Sequence, residues 1–251
     1  MIPIKNEREL VVMRQACKIT AAARALAGEM VRPGVTTKAI DKAVHDFIVA
    51  QGAKPSFLHY SGYPASACIS VNDVVIHGIP DGYKLKEGDI VSVDVGACWK
   101  GFHGDCAATF ACGRISPTAQ KLIDVTKESF FEGLKFARQG YRISDISHAV
   151  QSHVEKNGFS VVRAFVGHGV GENLHEEPEV PNFGSPGRGP RLVKGMTLAI
   201  EPMVNVGGWE VRVLKDRWTT VTVDGSIAAH YENTVLITDG EPEILTVAEG
   251  L

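Results

Sequence analysis

The strongest constraint on the fold is an internal repeat. Residues 36–52 and 143–158 both carry apolar positions at helical spacing, and matching positions such as Ile40 and Ile146 differ by 106. The strand-like segment LKEGDIVSVD matches LVKGMTLAIE further along the chain, at an offset of 107. A nearly constant offset across a helix and a strand indicates two related halves rather than a chance likeness of two helices.

Each half, about 1–110 and 111–251, is rich in helix first and in strand afterwards. Two copies are too few for a solenoid, which stacks more repeats. The sequence therefore predicts an α+β fold with internal pseudo-twofold symmetry, in which helices cover antiparallel sheets that meet near the axis. Because no Pro/Ser-rich linker separates the halves, we expect one catalytic domain over 1–251.

Composition narrows the class of protein. Hydrophobic residues make up 44% and charged residues 22%, and the net charge of −3 gives no electrostatic reason to expect nucleic-acid or membrane binding. The start of the chain lacks the apolar run of a signal peptide. Five cysteines without a CxxC pair argue against a disulfide framework and favour a reducing cytoplasm.

Two aspartates fall on a predicted hairpin in the first half. A two-residue turn at Trp99–Lys100 would place Asp94 directly opposite Asp105, and a turn shifted by one residue would make them diagonal neighbours. In both registers the carboxylates point to the same side of adjacent strands, where like charges are unfavourable. A divalent cation between them would remove the repulsion.

The second half adds three candidate ligands. Glu201 follows an apolar strand, Glu232 precedes a strand expected at 234–238, and His168 opens the motif GHGVGENLHEEP. With Asp94 and Asp105, they form an oxygen-rich set whose four negative charges match two divalent cations. Such ligands suit Mn²⁺, Fe²⁺, Co²⁺ or Zn²⁺ and are typical of metal-dependent hydrolysis.

Six ordered motifs then identify a family: VVIHGIPDG, IVSVDVG, GFHGD, GHGVGENLHEEP, IEPMV and HYENTVLIT. Along essentially the whole chain they resemble the type I, bacterial-type methionine aminopeptidases. The resemblance implies the pita-bread fold and removal of the N-terminal methionine of nascent polypeptides, with preference for a small second residue. It also implies a cytoplasmic monomer with transient ribosome contact.

The resemblance assigns two divalent ions per chain (Co, Mn, Fe, Zn or Ni). Their implied ligands are Asp94, Asp105, His168, Glu201 and Glu232. Asp105 and Glu232 match the bridging carboxylates, and Glu201 also matches the general base. His77 and His175 match two histidines that contact the substrate and donate hydrogen bonds to the developing oxyanion.

The resemblance also implies an apolar methionine pocket. Its lining would be Phe57, Tyr60, Tyr63, Cys68, His77, Leu174 and Trp218, with Met203 as a further candidate. For Phe57 and Leu174 simple core packing is an equally good interpretation. Many relatives have Phe where this chain has Leu174, which bears on selectivity rather than on the reaction. The remaining histidines are assigned structural roles: His45, His59, His103, His148, His153 and His230.

Two alternative functions stay open at this point. One is a related pita-bread peptidase that acts beside proline, although such enzymes usually carry an extra N-terminal domain. The other is a non-catalytic binding module on the same fold, which would be expected to lose metal ligands. The first predicts cleavage of proline-containing dipeptides, and the second predicts a protein that never holds a divalent ion.

Overall fold

The computed structural model describes residues 1–248, which fold into four α-helices packed on antiparallel β-sheets. The helices are α1 (Glu7–Glu29), α2 (Thr37–Ala50), α3 (Pro117–Leu134) and α4 (Ile143–Lys156), with a short 3₁₀-helix at Tyr60–Gly62. Polar caps start three of them: Asn6 forms a capping box with Glu9, and Thr36 and Ser116 accept backbone N–H groups of α2 and α3.

Most strands join one nine-stranded sheet. The strands are β1 (Lys54–Pro55), β2 (Ala67–Val71), β3 (Val74–Ile76), β4 (Ile90–Trp99), β5 (Phe102–Ala111), β6 (Ser160–Val161), β7 (Gly167–Gly169), β8 (Glu176–Val180), β9 (Thr197–Ile200), β10 (Met203–Asn205), β11 (Val211–Val213), β12 (Thr220–Thr222), β13 (Ala228–His230), β14 (Glu232–Leu236) and β15 (Glu243–Ile244). The main sheet runs β1-β4-β5-β14-β9-β7-β8, with β2 also on β4 and β15 on β14. Two smaller sheets run β13-β10-β6 and β11-β12-β3.

The predicted repeat is visible in the two main cores. Ile40 and Val44 of α2 pack in one core with β4, and Ile146 and Val150 of α4 pack in another with β9. These helix positions keep the offset of 106, and β4 and β9 begin at residues 90 and 197, an offset of 107. The pseudo-twofold symmetry expected from the sequence is therefore confirmed at the level of both elements and cores.

In the main sheet the two halves meet where β5 pairs with β14, and this junction is short. Its register joins Glu232 to Ala107 and Asn233 to Cys106. The guanidinium of Arg24, on α1, donates to the Ala107 carbonyl, the Glu232 carbonyl (3.0 Å) and Asn233 Oδ1 (3.1 Å). One half-buried arginine thus fixes both strands of the seam by charge-assisted hydrogen bonds.

The hairpin of the first half adopts the diagonal register. The turn lies at Lys100–Gly101, so Asp94 faces Ala107 and Asp105 faces Gly96. Both turn residues have positive φ (48° and 86°), as a type I′ turn requires. A turn at Trp99–Lys100 would force a bulky tryptophan into that region, where glycine is far better tolerated.

No helix within residues 1–248 combines the length and the apolar character that crossing a bilayer requires.

Candidate metal centre and substrate cavity

The five predicted ligands converge on one cavity of about 300 Å³. Asp94 and Asp105 reach it from the two strands of the hairpin, and His168 reaches it from β7. Glu201 follows the last residue of β9, and Glu232 is the first residue of β14. The expected strand at 234–238 therefore starts two residues earlier, which holds Glu232 in the sheet at the seam.

His168 presents a free nitrogen to the carboxylates. Its Nδ1–H donates to the Gly169 carbonyl at 2.8 Å, which leaves the lone pair on Nε2. That Nε2 lies 3.5 Å from Glu201 Oε1 and 3.8 Å from Asp105 Oδ2. A ring nitrogen held in this tautomer by a backbone carbonyl is the usual arrangement of a metal-binding histidine.

Ligand atoms form two overlapping groups. Asp94, His230 and Glu232 offer three atoms within 4.8 Å of one another, and Asp105, His168 and Glu232 offer another three. Glu232 belongs to both groups, as a carboxylate that bridges two cations would. Glu232, at the junction of the two halves, is therefore the residue that the two ligand groups share.

The electrostatics of the cluster demand positive charge. Burial raises the pKa of Asp94 to about 7, and burial with mutual repulsion raises the pKa of the other three carboxyls well above their usual values. Asp94 Oδ1, Asp105 Oδ1 and Glu232 Oε1 are buried and have no hydrogen-bond partner among residues 1–248. The described residues that line the cavity include neither lysine nor arginine. The cluster therefore fits two divalent cations.

His230 belongs to this cluster rather than to the structural role that the sequence suggested. Its Nε2 lies 3.7 Å from Glu201 Oε2 and 3.7 Å from Glu232 Oε2, and it has no hydrogen-bond partner. The side chain is 2% exposed, and burial lowers its pKa to about 3, so the ring is neutral. The i, i+2 spacing to Glu232 was the signal available, because extended backbone points such residues the same way.

The remaining cavity wall is apolar and aromatic. It includes every residue predicted for the methionine pocket except Met203: Phe57, Tyr60, Tyr63, Cys68, His77, Leu174 and Trp218. Met203 is fully buried behind the wall, packed with Val75, Val162 and Ala228. The sequence analysis missed a second part of the wall, formed by Ile76, Ala164, Phe165 and Val166.

Two histidines stand between the pocket and the carboxylates. His77 lies edge-on to Phe165 (5.6 Å) and Trp218 (6.1 Å), and burial lowers its pKa to about 4. The ring of His175 lies 4.1 Å from that of His168, and its Nδ1 is hydrogen-bonded to the Tyr60 hydroxyl at 2.8 Å. Burial lowers the pKa of His175 as well. Neutral rings in these positions have an N–H available for a substrate.

Five other histidines lie outside the cavity wall of the described chain. Their partners, where hydrogen bonds are present, are ordinary polar groups. His45 and His103 bond to serine hydroxyls, His148 to a carbonyl and His153 to Glu128. His59 precedes the 3₁₀-helix with a positive φ of 69°. These positions support structural roles.

A carboxylate-rich dinuclear site at the seam of two pseudo-symmetric halves defines a class, the metal-dependent hydrolases of the pita-bread fold. The chain belongs to metallopeptidase family M24, whose model matches residues 11–239. It is 57% identical over 247 residues to a methionine aminopeptidase of Clostridium perfringens, covering 98% of this chain and 99% of that protein.

Solved structures agree with this assignment. A methionine aminopeptidase from Thermotoga maritima superposes with a TM-score of 0.97 at 47% identity, covering 99% of this chain and all of that one. A prolidase from Pyrococcus furiosus gives a TM-score of 0.81 at 22% identity, covering 98% of this chain and 66% of that one. The second comparison shows a shared fold only. Together they confirm the pita-bread fold that the resemblance of the motifs implied.

Proposed function

We propose that this protein removes the N-terminal methionine from nascent proteins and peptides by metal-dependent hydrolysis, with preference for a small second residue. One observation carries the proposal: a single cavity joins an apolar, aromatic pocket to a cluster of four carboxylates, of which Asp105, Glu201 and Glu232 are buried and Asp94 is half-buried. A side chain bound in the pocket would place the peptide bond that follows it beside the cluster. The relatives described above support methionine as that side chain.

The proposed ligands of the two cations are Asp94, Asp105, His168, Glu201 and Glu232. Among them, Glu232 would serve both cations, because it belongs to both ligand groups, and the family resemblance implies the same role for the buried Asp105. When bound, two divalent cations supply Lewis-acid activation of water and of the scissile carbonyl near neutral pH. The Nε2 of His230 adds a sixth group within reach of Glu201 and Glu232.

Glu201 is proposed to accept the proton of the attacking water. Its carboxylate is buried beside two neutral histidines, and burial together with repulsion from Asp94 raises its pKa, which makes it a better base than an exposed glutamate. Glu201 lies on the cavity wall together with the pocket residues and the other carboxylates. We expect it to hand the proton on to the departing amine.

His77 and His175 are proposed to stabilise the tetrahedral oxyanion. Since both rings are neutral, each has one N–H to donate. For His175 we propose the tautomer in which the Tyr60 hydroxyl donates to Nδ1 across their 2.8 Å hydrogen bond, because this tautomer places the ring N–H on Nε2, the nitrogen away from Tyr60. The aromatic partners of His77 keep water away from that side of the substrate.

Specificity for methionine follows from the pocket wall. The rings of Tyr63 and Trp218 meet edge to face at 5.1 Å, and Phe57 and Leu174 are buried beside them. Thioether sulfur packs favourably on aromatic rings, by about 0.3–1.5 kcal/mol per contact. The Cys68 thiol also lines the wall, and burial raises its pKa well above the usual value, so it stays protonated and apolar.

The cellular setting is proposed on the same basis. Five cysteines are free thiols, which suits a reducing cytoplasm. Because the substrates are nascent chains, we expect transient contact with the ribosome. The protein is proposed to act as a monomer, as the family resemblance implies.

The test is hydrolysis of matched tripeptides by metal-loaded protein. With Mn²⁺ or Co²⁺, we expect release of methionine from Met-Ala-Ser, little release from Met-Trp-Ser and none from Leu-Ala-Ser. Ala-Pro serves as the probe for a proline-directed peptidase, and faster cleavage of Ala-Pro than of Met-Ala-Ser would reverse the assignment. No release from any peptide by a folded, metal-loaded sample would support a non-catalytic module.

A further inference from the structure

A buried ion pair joins the start of the chain to the loop beside the cavity. Lys5 Nζ donates to Glu176 Oε2, and the two side chains are only 4% and 5% exposed. Lys5 is also fixed through its backbone, because its N–H donates to the Gly195 carbonyl at 2.8 Å. Ion pairs this deeply buried are uncommon, since charged side chains are mostly exposed.

The second oxygen of the Glu176 carboxylate binds the backbone of the loop beside the cavity. Glu176 Oε1 accepts the backbone N–H of Asn173 at 3.1 Å, so Glu176 connects Lys5 to the segment between β7 and β8. That segment carries Leu174 and His175, which both line the cavity. A disturbance of the pair would therefore reach the cavity through only one or two residues.

The Lys5–Glu176 pair is closely packed against the backbone of Gly171. A Cβ added at Gly171 would lie 2.4 Å from Lys5 Cε and 2.7 Å from Glu176 Oε1. Only glycine at this position leaves room for the pair. The Gly171 carbonyl in turn accepts the His103 N–H at 2.8 Å, which ties the loop to β5.

We propose that Lys5 is a positioning residue, which holds the loop of residues 171–175 so that His175 and Leu174 face the substrate. Lys5 does not line the cavity and acts through Glu176. Removing the ammonium leaves a buried carboxylate without its counter-charge, and such a group is strongly unfavourable until water reaches it. The loop would open to hydrate Glu176 and would carry His175 away from the reacting carbonyl. This inference rests on the proposed function for its kinetic consequences, but not for its structural ones.

The test compares Lys5→Met with Arg14→Met. Arg14 forms a bidentate ion pair with Glu243, far less buried at 39% and 41% exposure, and it lines neither the cavity nor the loop. Hydrogen exchange measured by mass spectrometry on the peptide spanning 170–178 reports the loop directly. We expect faster exchange at this peptide in Lys5→Met and wild-type exchange in Arg14→Met.

Kinetics on Met-Ala-Ser supply the functional readout. Because displacement of a substrate-contacting group by about 1 Å can cost up to ~100-fold in rate, we expect kcat of Lys5→Met to fall by about tenfold or more. KM should change by less than about threefold, since most of the aromatic pocket wall lies outside the loop. The double variant Lys5→Met/Glu176→Gln removes both charges and so avoids the unpaired carboxylate. It should fold, and it should still show a reduced kcat and faster exchange at 170–178, because the tie between residue 5 and the loop is missing in it as well.

Each result decides a separate question. Wild-type exchange in 170–178 for Lys5→Met, or a kcat no lower than that of Arg14→Met, would overturn the positioning role. If Lys5→Met fails to fold, a folded double variant with wild-type kcat and exchange would overturn it equally. If the wild-type protein does not cleave Met-Ala-Ser, the proposed function fails, and the exchange data still decide whether Lys5 orders the loop.

Discussion

Removal of divalent cations should destabilise this protein strongly, and with an unusual dependence on pH. The cluster places four carboxylates in a buried cavity whose described lining has no cationic side chain. For Asp94 alone, a folded-state pKa of about 7 in place of 3.8 means that ionisation costs the folded protein about 4 kcal/mol. Two cations, each at a free concentration about 100 times its Kd, would stabilise the folded protein by about 5 kcal/mol. This corresponds to a rise of roughly 10–20 °C in Tm for a chain of this size.

The sign of the pH effect follows from the direction of the pKa shifts. A carboxyl with a raised folded-state pKa stabilises the fold while it is protonated, and this stability is lost as pH rises through the folded value. Below about pH 6.5 the buried histidines oppose this trend, because the pKa of His168 and of His230 is lowered to about 3. Between about pH 6.5 and 8.5 the Tm of the chelated protein should therefore fall with rising pH. The loaded protein should not show this fall, since cations compete with protons for the same oxygens.

The assay is thermal unfolding by scanning calorimetry with EDTA or with Mn²⁺ across that window. Asp105→Asn should reduce the difference in Tm between the Mn²⁺-loaded and the EDTA-treated protein, because it removes one charge and one ligand. Asp89→Asn is the matched control: Asp89 is also buried, but its oxygens accept hydrogen bonds from Asn72, Tyr83 and Lys86. It should lower Tm equally with and without chelator. A chelated Tm that equals the loaded one, or that rises from pH 6.5 to 8.5, would refute the convergence of charge.

Three further predictions concern the site. Glu201→Gln should lower kcat on Met-Ala-Ser by about 10²–10⁴-fold through loss of the general base, measured at saturating Mn²⁺; a kcat within about tenfold of wild type would assign the base elsewhere. Phe57→Leu should reduce the preference for Met-Ala-Ser over norleucine-Ala-Ser by about 2–10-fold in kcat/KM, because a sulfur–aromatic contact is lost; an unchanged ratio would place the sulfur away from Phe57. His230→Phe should weaken metal binding by about 10–100-fold in calorimetric titration, and unaltered affinity would return His230 to a packing role.

Much of the fold could be predicted because its signals are local or periodic. The amphipathic pattern around Ile40 and Ile146 shows the repeat, since a buried helix face needs apolar residues at fixed spacing. The hairpin register was left open, because it depends on which two residues accept positive φ. Lys100 does so at φ 48°, and lysine gives no sequence signal for that conformation.

The site was predictable where a carboxylate or histidine interrupts an apolar strand, and less so where loops supply the wall. Ala164, Phe165 and Val166 line the cavity from a segment without periodicity. Met203 follows Glu201 by two residues, yet Pro202 separates β9 from β10, and Met203 turns into the core of another sheet. His230 was assigned to packing because its local signal, the i, i+2 spacing to Glu232, does not by itself distinguish a buried histidine beside a metal from one beside a carbonyl.

The seam between β5 and β14 also governs when the site can exist during folding. Asp105 and Thr234 exchange hydrogen bonds across it, although they are 129 positions apart in the chain. Contacts of such long range carry a high loop-closure entropy and tend to form late. Each half can therefore build its own core first, and the two carboxylate pairs are brought together only when the halves dock. Cation uptake at the complete site is then a direct reporter of the final step of folding.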